Sequence, residues 1–160
     1  MQITGMFWGR KLLDLVEFTH SEVHGPELSV DEIKDMIKRH GQVFIKPMFK
    51  GGVGKKGKSG LLGRVDNISD ALKEKERLYF CEHVDGFNKV KSDGVTYEGA
   101  VPADHEVYFS ITESTEHRSP VMTVTHHGGV DIEELDPDKL AVVPFDPLTG
   151  LKAFHVSNAL

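Results

Sequence analysis

Cysteine is almost missing from this chain: Cys81 is the one cysteine in 160 residues, so no internal disulfide can form. A disulfide-stapled secreted module is thereby excluded, a reducing compartment fits, and Cys81 reads as a small, half-buried apolar residue. Long apolar runs are missing too. Met1 to Gly9 has neither the basic start nor the apolar centre of a signal peptide, so the expectation is a cytoplasmic protein without a membrane span. Positive charge is in deficit, with a formal net charge of −6. Any basic patch is therefore local, and neither nucleic acid nor an anionic membrane is an expected partner. There is no internal repeat and no low-complexity tract. What is present, 39% hydrophobic and 28% charged residues, suffices for one domain or a piece of a larger one with a real core.

Against this acidic background the stretch from Val43 to Val65 stands out. Val43-Phe-Ile-Lys46 has strand-forming residues running into a lysine, and Leu61, Leu62 and Val65 resume an apolar strand pattern. Between them lie Gly51, Gly52, Gly54 and Gly57, interleaved with Lys50, Lys55, Lys56 and Lys58. Glycines let a backbone approach a bulky ligand, and lysines supply the charge a polyphosphate needs. A solvated hairpin with a charged tip has the same composition.

Upstream, Gly5 to Phe18 carries apolar residues at roughly helical spacing and predicts an amphipathic helix facing a core. His20 to Leu28 reads as a loop. Ser29-Val-Asp-Glu32 has the form of a capping box, opening a helix that Gly41 stops. Downstream, Asp66 to Asp70 reads as a helix start for Ala71 to Phe80. Glu82 to Gly94, with Asp93-Gly94 as a turn signal, reads as a loop or hairpin. Strands are expected at Val95–Val101, Glu106–Thr112, Val121–His126 and Leu140–Phe145, with a solvated acidic turn from Asp131 to Asp138. The fold class is α+β, an antiparallel-rich sheet with flanking helices and a glycine-rich hairpin.

Two nucleotide chemistries fit these residues. Gly52-Val-Gly-Lys-Lys-Gly-Lys-Ser59 satisfies the phosphate-loop pattern, whose mechanism requires a helix to begin at the lysine. Gly60 and Gly63 disfavour a helix there, and no later apolar run ends in the required metal-binding aspartate. Alternatively the whole hairpin is a lid over a nucleotide, with Lys46 at its root. Glu98-Gly-Ala100-Val101 then offers backbone groups to an adenine edge, and Glu106 accepts from the ribose hydroxyls. A third reading, from another class, is a non-catalytic assembly module docking an acidic partner through its basic hairpin. His126 and His127 read as structural, since adjacent strand residues point to opposite faces. The other histidines read as surface residues.

Val43-Phe-Ile-Lys46, Lys50-Gly-Gly-Val-Gly-Lys55, Tyr97-Glu-Gly-Ala-Val-Pro102 with Glu106-Val-Tyr-Phe109, Thr125-His-His-Gly-Gly-Val-Asp-Ile-Glu-Glu134 and Phe145-Asp-Pro-Leu-Thr-Gly150 occur in this order along the chain. Together they resemble the ATP-grasp domain of the succinyl-CoA ligase β-subunit, ATP-citrate lyase and citryl-CoA synthetase group. The resemblance implies a truncated ATP-grasp fold in residues 1–160. It implies nucleotide contacts from Lys46, Gly52, Gly54, Lys55, Lys56, Lys58, Glu98, Ala100, Val101 and Glu106. The implied cofactors are ATP and Mg2+, with the family's metal-binding asparagine and aspartate beyond this segment and no catalytic residue within it. The implied activity is ATP-dependent acyl-CoA formation, of the citrate type with the succinate type as alternative, by phosphoryl transfer through a phosphohistidine on a CoA-binding domain or subunit. The full enzyme would be a hetero- or homo-oligomer, and this segment alone would be inactive. Val53 stands where the succinyl-type pattern has arginine, and the register that lays Lys55-Lys56-Gly57-Lys58 over the citrate-type basic pair restores that charge.

Overall fold

The computed structural model describes residues 5–17, 20–49, 60–85, 88–128 and 132–159. Along the chain run α1 (Gly5–Leu15), β1 (Val23–His24), α2 (Val30–His40), β2 (Val43–Phe49), β3 (Gly63–Val65), α3 (Ile68–Tyr79), β4 (Glu82–Asp85) and β5 (Asn88–Gly99). They are followed by β6 (Tyr108–Ser114), β7 (Ser119–Thr125), two 3-10 turns (Ile132–Glu134 and Pro137–Lys139), β8 (Ala141–Pro144) and α4 (Ala153–Ala159). All pairings among the described strands are antiparallel, as the α+β reading expects. The chain divides into two compact units, Met1–Pro102 and Ala103–Leu160.

In the first unit the strand order is β1-β5-β2-β3, with β4 also paired to β5. The expected capping box opens α2: Ser29 Oγ accepts from the Glu32 amide at 3.3 Å and the Glu32 carboxylate accepts from the Ser29 amide at 2.9 Å. Gly41, at φ 72°, ends the helix by donating to the Ile37 carbonyl. The Asn67 side chain likewise accepts from the Asp70 amide at the start of α3. Ile33 and Met36 of α2 and Ala71 and Leu78 of α3 are buried with Val43, Ile45, Val95 and Tyr97 of the sheet in one cluster. Strand period then fixes the other face: Val43, Ile45, Pro47 and Phe49 are buried, whereas Phe44, Lys46 and Met48 alternate with them and stay half-buried. Lys46 therefore leaves the sheet on the side opposite that cluster.

Three expectations for this unit are corrected. Asp93-Gly94 is not a turn. β5 continues through it, and the ladder to β2 slips by one residue between Pro47↔Val95 and Phe49↔Ser92. A glycine suits a bulge as well as a turn, and here Ser92 Oγ bridges the irregularity by donating to the Gly94 carbonyl at 2.7 Å. The chain reverses earlier instead, between the paired residues Asp85 and Asn88. Helix α1 forms, but Leu12, Leu15 and Val16 are exposed rather than facing a core. Its described ties are polar: Arg10 donates to the Val23 carbonyl at 2.6 Å and pairs with Glu27 at 3.2 Å. Lastly, the loop from His20 to Leu28 contains β1, an edge strand on β5.

The second unit is the sheet β6-β7-β8, with Val121, Met122 and Val124 buried and α4 against β8. Strand β6 begins at Tyr108, not Glu106, because the Glu106 carbonyl accepts from the Gly128 amide (3.0 Å) instead of joining a ladder. The alternation of Val107, Phe109 and Ile111 is real, yet all three are exposed. Leu148 and Gly150 donate their amides to Asp146 at 2.8 Å each, to its carboxylate and its carbonyl, which shapes the expected Asp146–Gly150 turn. Helix α4 was not anticipated. It is short, and His155 Nδ1 accepts the Lys152 amide (2.9 Å) where an acidic cap would be looked for.

Candidate functional site

Lys46 and Glu98 occupy neighbouring strands. Phe44 pairs with Glu98 and Lys46 with Thr96, so the lysine and the carboxylate are diagonal neighbours on the open face. Their side chains form an ion pair, each about one-third exposed (34% and 28%). A polyphosphate arriving at Lys46 would have to compete with this carboxylate for the ammonium. The adjoining Phe44 ring lies under the Arg64 guanidinium (5.9 Å), and Gln42 Oε1 accepts from Arg64 Nε and Nη2 at 2.8 and 2.5 Å. The open face thus presents Lys46 near an arginine held by its own contacts.

The chain leaves β5 through Gly99, Ala100 and Val101, and several of their backbone groups are already committed. The Gly99 amide donates to the Glu22 carbonyl and the Ala100 amide to the Gln42 carbonyl, both at 3.0 Å. Ser21 Oγ donates to the Gly99 carbonyl at 2.7 Å. The Ala100 carbonyl and the Val101 amide have no hydrogen-bond partner among the described residues. They are the two ends of one trans peptide and point in opposite directions, so one of them, not both, can meet a given base edge. Beside them opens a cavity of about 480 Å3 lined by His20, Arg39, His40, Ala100, Val101 and Pro102.

A second set of charged groups flanks this hinge. Glu22 accepts from Arg39 (Nε 3.1 Å, Nη2 2.5 Å), and its two oxygens lie 2.9 Å from His40 Nε2 and 2.6 Å from His24 Nε2. Burial alone would raise the Glu22 carboxyl, but the bonds from His24, Arg39 and His40 outweigh it and hold it down at about 2. This network was not legible in the sequence, where His20 to Leu28 reads as a loop and the scattered histidines as surface. His40 is mostly buried, with 13% of its side chain exposed. Its signal, a basic helix end preceding a glycine-stopped turn, reads equally as a dipole complement.

Of the predicted nucleotide residues, Lys46, Glu98, Ala100 and Val101 are brought together within the first unit. Glu106 is exposed and belongs to the second. Its main chain is buttressed by Gly128, where a Cβ would lie 2.6 Å from the Glu106 carbonyl carbon. The His126 ring stands 6.1 Å from that of His105. Gly52, Gly54, Lys55, Lys56 and Lys58, and with them the loop Gly52–Ser59, lie outside the described residues. The described chain from Gly60 carries no helix before α3 and enters β3 at Gly63, so the helix on which a phosphate loop depends does not follow. Among the described residues no group of three or more His, Cys, Asp or Glu side chains could hold a metal ion. Nor is any described helix long and apolar enough to cross a membrane.

Residues 16–160 match the family described as the ATP-grasp domain. The succinate–CoA ligase (ADP-forming) subunit beta of Desulfatibacillum aliphaticivorans is 31% identical over 140 residues, covering 84% of this chain and 36% of the relative. The ADP-forming sulfoacetate-CoA ligase subunit SauC of Bilophila wadsworthia is 34% identical over 108 residues, covering 66% and 27%. Among solved structures, ATP citrate lyase from Methanothrix soehngenii in complex with citrate and coenzyme A superposes with a TM-score of 0.59 at 18% identity, covering 93% of this chain and 36% of that one. That likeness is one of fold. The chain spans about a third of the length of the curated relatives it matches.

Proposed function

The chain belongs to the ATP-grasp family and has its fold, and from that premise we propose that it is the nucleotide-binding part of an ATP-dependent enzyme that joins a carboxylic acid to coenzyme A. The observation that carries the reading is the Lys46–Glu98 pair on the open face of a strand that ends in an unengaged backbone acceptor and donor at Ala100 and Val101. In this scheme a purine edge bonds one group of the Ala100–Val101 peptide, its carbonyl or its amide. The phosphates draw Lys46 away from Glu98, and the segment with Gly52, Gly54, Lys55, Lys56 and Lys58 covers them. Lysine charge beside the transferring phosphoryl group offsets the negative charge that develops there.

The phosphoryl acceptor is a histidine on a CoA-binding domain or subunit of the same enzyme, which passes the phosphate to the acid before coenzyme A displaces it. Relatives named for succinate and sulfoacetate ligation favour a ligase, and the fold is equally that of a citrate lyase. The two types share this nucleotide half.

The test is an amide-resolved NMR titration of the 160-residue chain with ADP and magnesium. Shifts should appear at Lys46, at 51–58 and at 98–106. Lys46→Ala should weaken binding about tenfold, the scale of one charge-assisted contact, with unchanged circular dichroism. A folded Lys46→Ala variant that binds as wild type does would sink the assignment, and shifts confined to 52–59 would favour the phosphate loop.

A further inference from the structure

Gly99, the residue before the proposed base-recognition groups, is gripped from three sides. Ser21 Oγ holds its carbonyl (2.7 Å) and the Glu22 carbonyl holds its amide (3.0 Å). On the third side the His40 imidazole lies so close that a Cβ on Gly99 would be 2.8 Å from ring atoms Cδ2 and Cγ and 2.9 Å from Nδ1. No side chain but hydrogen fits there without displacing the ring. The ring in turn is fixed by Glu22, whose Oε1 lies 2.9 Å from its Nε2 and also accepts the forked Arg39 guanidinium. The other oxygen is taken by His24 Nε2 at 2.6 Å. A single residue thus joins the end of α2 to the hinge twice, by its carboxylate through His40 and by its own carbonyl through Gly99.

Resting on the nucleotide-binding reading, we infer that Glu22 is a positioning residue: it locks His40 against Gly99 and so fixes where the Ala100 carbonyl and the Val101 amide stand. It is set behind the recognition edge and acts through the ring. An isolated exposed ion pair would do little of this, because its side chains move freely and water screens it. Here the carboxylate is three-quarters buried and His40 more so, with side-chain exposures of 26% and 13%. Arg39 Nε and Nη2 both bond Oε1 while His24 takes Oε2, so each oxygen of the carboxylate is held. Glutamine in place of Glu22 keeps the size but removes the charge that holds Arg39 and His40 on Oε1, and its amide nitrogen cannot accept where Oε2 meets His24. The hinge would then lose its backstop while keeping its main-chain bonds. A preorganised hydrogen-bonding peptide is where a small displacement costs affinity.

The test compares Glu22→Gln with wild type by the resonances of Ala100 and Val101, first without nucleotide and then through a titration with ADP. The variant should move both amides before any ADP is added and weaken ADP binding on the order of tenfold, as expected when one charge-assisted interaction is lost. Unmoved hinge amides with equal ADP affinity would overturn the inference while leaving the nucleotide reading intact. No ADP binding by wild type would overturn both. Should Glu22→Gln fail to fold, His40→Ala decides: it removes the ring that Glu22 holds against Gly99 and should likewise move the Ala100 and Val101 amides and weaken ADP binding, and unmoved amides with equal affinity would overturn the inference. A merely structural Glu22 predicts a lower urea midpoint with both hinge amides and the ADP affinity of the folded variant unchanged.

Discussion

Tyr97 heads the fully buried side chains by size, and its hydroxyl has no hydrogen-bond partner among the described residues. Burial pushes its phenol up to about 12, with the neighbouring Tyr79 adding to the effect. The ring is needed, since it fills the space between the sheet and the helices, but the oxygen is desolvated without compensation. Tyr97→Phe is therefore expected to stabilise the first unit by about 1 kcal/mol, read as a higher urea midpoint at unchanged slope. A lower midpoint would mean that the hydroxyl has a partner in solution. Lys46 is the opposite case, a polar side chain kept in place on a half-open face by one carboxylate. There the cost of losing the side chain is expected to fall on the proposed nucleotide contact and not on folding.

At the scale of elements, the strongest steric demand in the second unit is that of Gly128. A Cβ there would meet the Glu106 carbonyl carbon at 2.6 Å and the carbonyl oxygen at 2.7 Å, and these are backbone atoms that cannot swing aside. Gly128→Ala should destabilise this unit by about 1–3 kcal/mol and shift the amides around Glu106, measurable in the same spectra. Equal stability and unmoved resonances would show that the turn has room. Elements whose causes are local were legible in the sequence. The Ser29–Glu32 box, the Gly41 stop and the alternation of Val43 to Phe49 each follow from residues within a few positions. Lys46 and the Ala100–Val101 pair were legible for the same reason, as part of contiguous motifs. The Glu22–His40 network was not, because Ser21 and Gly99 are 78 positions apart and only the pairing of β1 with β5 joins them. Asp93-Gly94 misled because glycine marks any irregular backbone, a bulge as readily as a reversal. The misplaced start of β6 has a similar origin, since Gly128 takes the Glu106 carbonyl from more than twenty residues away.

For the whole molecule the balance of charge is acidic, yet several carboxylates are held below their ordinary range by specific bonds. Glu22 is the extreme, at about 2, with Glu27, Glu32, Asp70 and Glu82 displaced in the same direction, all of them in the first unit. The sign follows from the folded form binding its proton less readily than the unfolded form. The stability that Glu22 contributes is complete above its ordinary value of 4.5 and is lost as the pH falls toward 2. Thermal midpoints taken down this range should fall less steeply for Glu22→Gln than for wild type, and parallel curves would contradict the network. The bulge in β5 bears on something else, the lengths of chain the sheet can tolerate. Side chains alternate faces with a period of two, so deleting Thr96 would turn Glu98 away from Lys46 and toward the helices. At Asp93 and Gly94 the strand already carries one residue more than its partner, and losing one there would leave both flanking registers in phase. Gain or loss of a single residue should therefore be tolerated at that point and not in the ion-pair strand between Val95 and Gly99.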